Sequence, residues 1–335
     1  MNSPNIVMIH RGAAPYLRPN IERVLAVIPN CNFWLIGDEK NRATAEELKI
    51  NFERYDKFSG IPDSDFVNYS PAPWKQWSRF RFEKFCIDRW IILHKFMENR
   101  GIQEALYLDS DVLVLSDKTL DVFYDNKYDL IKDSNIVSVP FLCFWKQSAI
   151  KYFANYILEL YSLTQEEKFA VLREIADVAR QKTYFQLKKI GMETMAQRIH
   201  DRKDIHISDM QLIGDFSNSE KVRDKPIMKY KGEGRCEYVR EPSTPKNLPI
   251  TIKNVCFANS YNNYRQDPLY KNLILPSQAF QLQGMGCKKL TLKEGAYFYN
   301  DKEVPFLHLQ GGCKEWQHDI LKSINNKKDI TLPDK

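Results

Sequence analysis

Leu106-Tyr107-Leu108-Asp109-Ser110-Asp111-Val112-Leu113-Val114-Leu115 sets two carboxylates inside an otherwise apolar run. Asp and Ser at a strand end often close a turn by bonding local backbone amides. Here the apolar run resumes at once at Val112, with no Gly or Pro to mark a turn. Carboxylates beside a buried strand are costly unless they are paired, hydrogen-bonded or bound to metal. If the backbone stays extended, its period of two aims both carboxylates the same way. Oxygen ligands so placed suit Mg²⁺ or Mn²⁺, which also accept phosphate oxygens. A phosphatase whose first Asp attacks phosphorus fits the letters less well. Its Asp pair belongs near the start of the first strand unit, and this one follows two earlier strands.

Those strands are legible upstream. Ile6 to Ile9 is a short apolar run that stops at His10-Arg11-Gly12, and Phe33 to Ile36 is another that stops at Gly37-Asp38. A helix is expected over Pro19 to Val27. Strand, loop, helix and strand in this order imply a parallel α/β sheet. Ligands of such sheets gather at the carboxyl ends of the strands, which selects His10, Arg11, Gly12 and Asp38. Trp77 to Asn99 has helical apolar spacing, as one or two helices, and carries Arg79, Arg81 and Lys84 just before the acidic cluster. A short strand is expected near Asn135 to Pro140. Residues 148–200 read as a helical insertion, 221–249 as loop and edge structure, and 321–335 as a polar, frayed tail.

With 335 residues, 43% hydrophobic and 27% charged, the chain can bury a large core and is not disordered. The expected organisation is one domain over 1–320: a nucleotide-binding half (1–147), the insertion (148–200) and an acceptor side (201–320). The net charge of +6 comes from 49 basic against 43 acidic residues, scattered rather than massed. That excludes a nucleic-acid partner and leaves room for an anionic small ligand or peripheral contact with an anionic membrane. Without a signal peptide or a run of about 20 apolar residues, the expected location is cytoplasmic, at most peripheral to a membrane. Seven cysteines without metal-finger spacing fit reduced, structural thiols. The sequence is silent on oligomeric state.

Two hundred residues later comes Pro305-Phe306-Leu307-His308-Leu309-Gln310-Gly311-Gly312-Cys313-Lys314-Glu315-Trp316. An imidazole at a strand end can ligate a metal, a glycine lets backbone approach a phosphate, and a lysine neutralises a leaving diphosphate. With this company, Asp109-Ser110-Asp111 resembles the DxD motif of GT-A glycosyltransferases. The later segment is similar to the HxxGxxKPW signature of the glycogenin and lipopolysaccharide-galactosyltransferase family (family 8) of retaining enzymes, with Glu315 in place of the proline. The resemblance implies a GT-A, Rossmann-like α/β fold, with a mixed, mainly parallel sheet and helices on both faces. It implies that Asp109, Asp111 and His308 hold Mn²⁺ or Mg²⁺, while Gly311 and Lys314 meet the diphosphate; Asp109 and Ser110 count among the residues that bind the sugar nucleotide.

Further roles come from the same resemblance. In Ile205-His206-Ile207-Ser208-Asp209-Met210-Gln211, Asp209 would meet the donor sugar or the acceptor hydroxyl, and Gln211 would lie beside the anomeric carbon. Both are candidate catalytic residues; the bland reading is a helix capped by Ser208 or Asp209. A basic helix reaching the diphosphate would use Arg79, Arg81 or Lys84, unless these form a solvated face. His10, Arg11, Gly12 and Asp38 would seat the nucleobase and ribose. The expected partners are a nucleotide sugar (a UDP-sugar) and a glycan or glycoconjugate acceptor, with transfer under retention. The competing expectation is a non-catalytic carbohydrate- or nucleotide-binding protein on the same fold. Trp74, Trp77, Trp145 and Tyr261 could stack on sugars or pack a core.

Overall fold

The protein is described by a computed structural model. It covers residues 3–66, 77–117, 120, 130–132, 142–189, 193–201, 207–218, 289–299, 302–309 and 311–332, with short strands at 228–230, 236–238, 255–257 and 277–278. The expected strand near 135–140 lies outside these residues, as do Trp74, Tyr261 and the side chains of Trp77 and Arg79.

The first half builds a parallel sheet as its apolar runs require. Strands β1 (Asn5–His10), β2 (Asn32–Gly37), β3 (Asn51–Arg54) and β4 (Glu104–Leu108) lie in the order β4-β1-β2-β3, all parallel. The connections use helices α1 (Leu17–Val27), α2 (Glu39–Glu47) and α3 (Trp77–Arg100), the last a single helix where one or two were expected. After β4 the chain turns into β5 (Val112–Val114). The main sheet then continues with β6 (Leu130–Lys132) and β7 (Leu142–Lys146). β7 runs antiparallel to both β4 and β6, so the sheet is mixed but mainly parallel.

Both faces of this sheet are covered, and β1 shows why its sequence is apolar throughout. Ile6 and Met8 pack into one core with α1, while Val7 and Ile9 pack into another with α3. All four are buried, and each such side chain contributes about 1.5–3 kcal/mol. The exposed Arg18–Glu22 pair adds little beside this, because solvent screens it. Helices α4 (Gln147–Ser162), α5 (Gln165–Lys189), α6 (Glu193–His200) and α7 (Asp209–Asn218) occupy the tract read as an insertion and its sequel. Through Ile150, Phe153, Ile157, Leu172 and Phe216 this tract joins the α3 core. Trp145 is fully buried and stacked on Phe153, which assigns it to the core.

The second half adds strands to this frame. β8 (Met228–Tyr230) pairs with β9 (Cys236–Tyr238), and β10 (Val255–Phe257) extends the main sheet beside β6. A separate four-stranded sheet holds β12 (Lys289–Lys293), β13 (Ala296–Tyr299), β14 (Lys302–Glu303) and β16 (Ile330–Thr331). β11 (Ser277–Gln278) and β15 (Phe306–His308) form a three-stranded sheet with β5. The chain after Ile320 corrects the expectation of a frayed tail. Helix α8 (Gln317–Asn325) and β16 close the C-terminal core, with Ile320, Ile330 and Leu332 buried. Its polar composition hid the few apolar positions that anchor it. No described helix is long and apolar enough to cross a membrane.

Candidate metal and diphosphate site

The acidic cluster does not continue the strand. Val112 N donates to the Asp109 carbonyl at 3.1 Å, so Asp109 to Val112 is a β-turn between β4 and β5. The expectation of an extended backbone is corrected: turn and cluster are one feature, and the two acids take different partners while keeping ligand atoms within 4.8 Å of each other. Asp109 has the parity of Tyr107 and meets the α3 side. Asp111 meets the C-terminal segment.

That meeting follows from strand pairing. β15 lies antiparallel to β5 with His308 opposite Val112, and Leu309 N donates to the Asp111 carbonyl at 2.9 Å. His308 Nε2 stands 3.2 Å from Asp111 Oδ1, and Lys314, in the 3₁₀ turn Gly311–Trp316, puts its ammonium 3.0 Å from Asp111 Oδ2. Ligand atoms of Asp109, Asp111 and His308 all fall within 4.8 Å of one another. Adjacent ligands of an octahedral Mg²⁺-sized ion, bonded at about 2.1 Å, sit roughly 3 Å apart. The His308–Asp111 spacing matches, and two hard carboxylates with one imidazole suit Mn²⁺ or Mg²⁺.

On the other side stands Arg89, which sequence reading missed. The guanidinium donates to Asp109 Oδ1 at 2.6 Å and also pairs with Asp209, whose side chain accepts from Trp90 Nε1 at 3.2 Å. Tyr107 OH donates to the same Asp109 oxygen at 2.5 Å. Arg89 lies two helical turns beyond Arg81 on α3, so the basic helix was legible while the register that reaches the cluster was not. Its neighbour Trp90, fully buried, marks that face of the helix. Lys84 instead pairs with Asp88 at 2.6 Å and Asp63 at 3.4 Å, and Arg81 is exposed.

The electrostatics follow from burial and partners. Burial would raise the Asp111 carboxyl, but the His308 hydrogen bond and Lys314 outweigh it and hold it at about 2. Asp109 and Asp209 are pushed above the ordinary carboxylate range, by burial first, with Arg89 opposing. Burial also lowers the His10 imidazole. Three carboxylates face two cations, Arg89 and Lys314, so the centre keeps a negative charge that a divalent cation would reverse.

The remaining candidates divide. His10 ends β1 and pairs its Nδ1 with Ser110 Oγ at 2.8 Å. Gly12 has φ +86° and donates its N–H to Asp38 Oδ2 at 2.8 Å; an L side chain there would be strained. Asp38 caps α2 in a capping box with Asn41, and Asn41 Nδ2 reaches the Gly12 carbonyl at 2.9 Å. Arg11 lies over the Tyr55 ring at 5.7 Å. The structure therefore brings His10 to the cluster and ties Gly12 to Asp38 beside it. Ser208 precedes α7, and its backbone N–H and hydroxyl both donate to the Gln211 side-chain oxygen, which supplies the Gln211 half of a capping box.

One test of this wiring concerns Tyr107. Tyr107→Phe removes the donor to Asp109 and is expected to cost about 1.5–3 kcal/mol, as for a hydrogen bond to a charged group. Urea unfolding should show a lower midpoint at unchanged slope.

Fold and site together define an α/β protein with a clustered Asp-Asp-His set at the carboxyl end of its central sheet. No protein-family profile matches the chain, and no characterised sequence does either. Among solved structures, the chain is similar to the galactosyltransferase LgtC in complex with donor and acceptor sugar analogs, at 15% identity and TM-score 0.41, covering 98% of each chain. It is also similar to mouse xyloside xylosyltransferase 1 in its apo form (12% identity, 64% of this chain and 83% of that one, TM-score 0.39). A cytidylyltransferase from Leptospira borgpetersenii matches at 11% identity and TM-score 0.30 over 46% of this chain, which spans 64% of that protein.

Proposed function

We propose that this protein is a metal-dependent glycosyltransferase of the GT-A type, moving a sugar from a nucleoside-diphosphate sugar, of which a UDP-sugar is the expected form, to a glycan, glycolipid or protein acceptor. The observation that carries the proposal is the convergence of Asp109, Asp111 and His308 with Lys314 beside them. Asp109, Asp111 and His308 would hold Mn²⁺ or Mg²⁺, which supplies Lewis acidity to the diphosphate when bound. Lys314, already against Asp111, offers a positive charge to the leaving diphosphate. Gly311 opens the turn that carries Lys314, and a residue without a side chain lets a phosphate approach its backbone. His10 and Ser110 border the same centre, and the loop of Arg11, Gly12 and Asp38 is proposed to seat the nucleoside. Arg79, Arg81 and Lys84 stay as proposed donor contacts at the start of α3.

Asp209 is proposed to line the sugar side. It lies one guanidinium away from Asp109, through Arg89. Gln211 commits its carbonyl oxygen to Ser208, which leaves its NH₂ group to donate to a sugar or acceptor hydroxyl. Retention fits this chemistry, because Asp209 is tied up in a buried pair and is poorly placed to deprotonate an acceptor.

The test is incubation with Mn²⁺ and a panel of nucleotide sugars, without acceptor. Slow release of nucleoside diphosphate from one donor is expected, and chelation of the metal should abolish it. No release from any donor, with ligand binding intact after chelation, would instead support a non-catalytic binding protein. NMR of the product anomer then decides retention against inversion.

A further inference from the structure

Behind the cluster, two buried amides join the start of the chain to its far end. Asn20, on α1, has no exposed surface, and Gln317, the first residue of α8, is 6% exposed. Asn20 Nδ2 donates to the Ser110 carbonyl at 2.8 Å. Gln317 Nε2 donates to Asn20 Oδ1 at 2.7 Å and lies 3.3 Å from the Tyr16 carbonyl. Burying primary amides costs free energy unless their hydrogen bonds are made, and a plain helix contact would be served as well by apolar side chains. What the amides add is direction. They end on the carbonyl of the one residue between the two acids, and the position of that carbonyl sets how the turn presents Asp109 and Asp111.

The same end of α1 holds the opposite wall of the site. Lys314 lies 4.6 Å over the Tyr16 ring and donates to its hydroxyl at 3.3 Å. One turn beyond Asn20, Arg23 Nε donates to the Val114 carbonyl at 2.9 Å and fixes β5. The acidic turn and the lysine segment are therefore both referenced to one helix, which takes no part in the cluster itself.

We propose that Asn20 and Gln317 are positioning residues, forming a buried amide relay that holds the Asp109–Asp111 turn in register with the segment carrying His308 and Lys314. The ligand spacing is thereby set before a cation arrives. The inference rests on the reading of the cluster as a cation site, and it adds two residues that never touch the cation. Outer partners of metal ligands typically change affinity by about 10- to 100-fold when removed.

The experiment is titration of Mn²⁺ into the metal-free full chain, followed by calorimetry and by electron paramagnetic resonance of free Mn²⁺. Thermal unfolding and hydrogen exchange of the 110–112 amides are measured alongside. Asn20→Ala and Gln317→Ala are each expected to weaken Mn²⁺ binding by about 10- to 100-fold. The double variant should be no weaker than the worse single one, because a relay cut once is already cut. Asn20→Leu and Gln317→Met keep the volume and lack the amide; they should bind Mn²⁺ as poorly, with more of the thermal stability retained. Exchange at 110–112 should quicken in all of them. Asp111→Asn separates the two readings. If it loses Mn²⁺ while the relay variants bind within twofold of wild type, the relay is overturned and the cation site stands. If Asp111→Asn itself binds Mn²⁺ normally, the cation reading fails and takes the relay with it. Lower thermal stability with unchanged affinity and exchange would reduce the two amides to packing.

Discussion

Asp111→Asn is expected to lower nucleotide-sugar turnover by about a hundred- to a thousandfold at saturating donor and Mn²⁺, the range for removing one preorganised electrostatic contact in a site of this kind. The substitution keeps the shape of the side chain and removes its charge. Since His308 and Lys314 hold the Asp111 carboxyl at about 2 against the effect of burial, it is ionised throughout the neutral range. Its loss therefore changes the site's charge at every working pH. The cost to folding should be smaller. Lys314 keeps a third of its side chain exposed and can turn to water once its partner is neutral. Turnover within threefold of wild type would remove Asp111 from the cation site, and a fall in thermal stability large enough to explain the loss would do so too.

The largest effect on stability is expected at Arg89. Arg89→Met should destabilise the fold by about 3–5 kcal/mol, because it leaves the buried Asp209 carboxylate and the half-buried Asp109 carboxylate without their common partner. Arg89→Lys should rescue little of this: an ammonium cannot bond Asp109 and Asp209 through a rigid fork, nor reach the Tyr107 hydroxyl at the same time. The deficit also carries a sign in pH. Burial already raises the Asp209 carboxyl, and Arg89 opposes that rise. Without the guanidinium, the folded state binds this proton more tightly than the unfolded chain does. Stability then falls as pH rises, so the deficit of Arg89→Met grows with pH and shrinks as Asp209 protonates. Denaturant titrations of both proteins over a pH series check this. A pH-independent difference would mean that packing alone is lost.

Much of the architecture was legible because it is written in apolar periods. The runs at residues 6–9, 33–36 and 105–108 are buried on two faces and read as parallel strands. The meeting of Asp109 and Asp111 with His308 and Lys314 was implied by a family resemblance of the two segments, since nothing in either segment said that β5 and β15 would be neighbours. Arg89 was hidden by the richness of its helix: several basic residues share α3, and only the packing of Trp90 against Tyr107 decides which one turns to the cluster. Asn20 and Gln317 were invisible for a different reason. A buried amide looks like any surface amide in sequence, and its worth depends on a carbonyl 90 residues away in one case and on its partner amide 297 residues away in the other. The turn at Asp109–Val112 lacked the usual Gly or Pro because strand pairing and side-chain bonds hold it instead.

The pairing of β5 with β15 also has a consequence in time. Ribosomal synthesis delivers the two acids long before the histidine and lysine that complete their cluster, since chains emerge from the N-terminus. In a nascent chain stopped near residue 300, β5 would lack its partner strand β15, and Asp111 would lack His308 and Lys314. The pairing that closes this edge is therefore also the one that brings His308 to the two acids. Until residues 306–317 clear the exit tunnel, the acids of the first half wait for the histidine and lysine that complete their cluster.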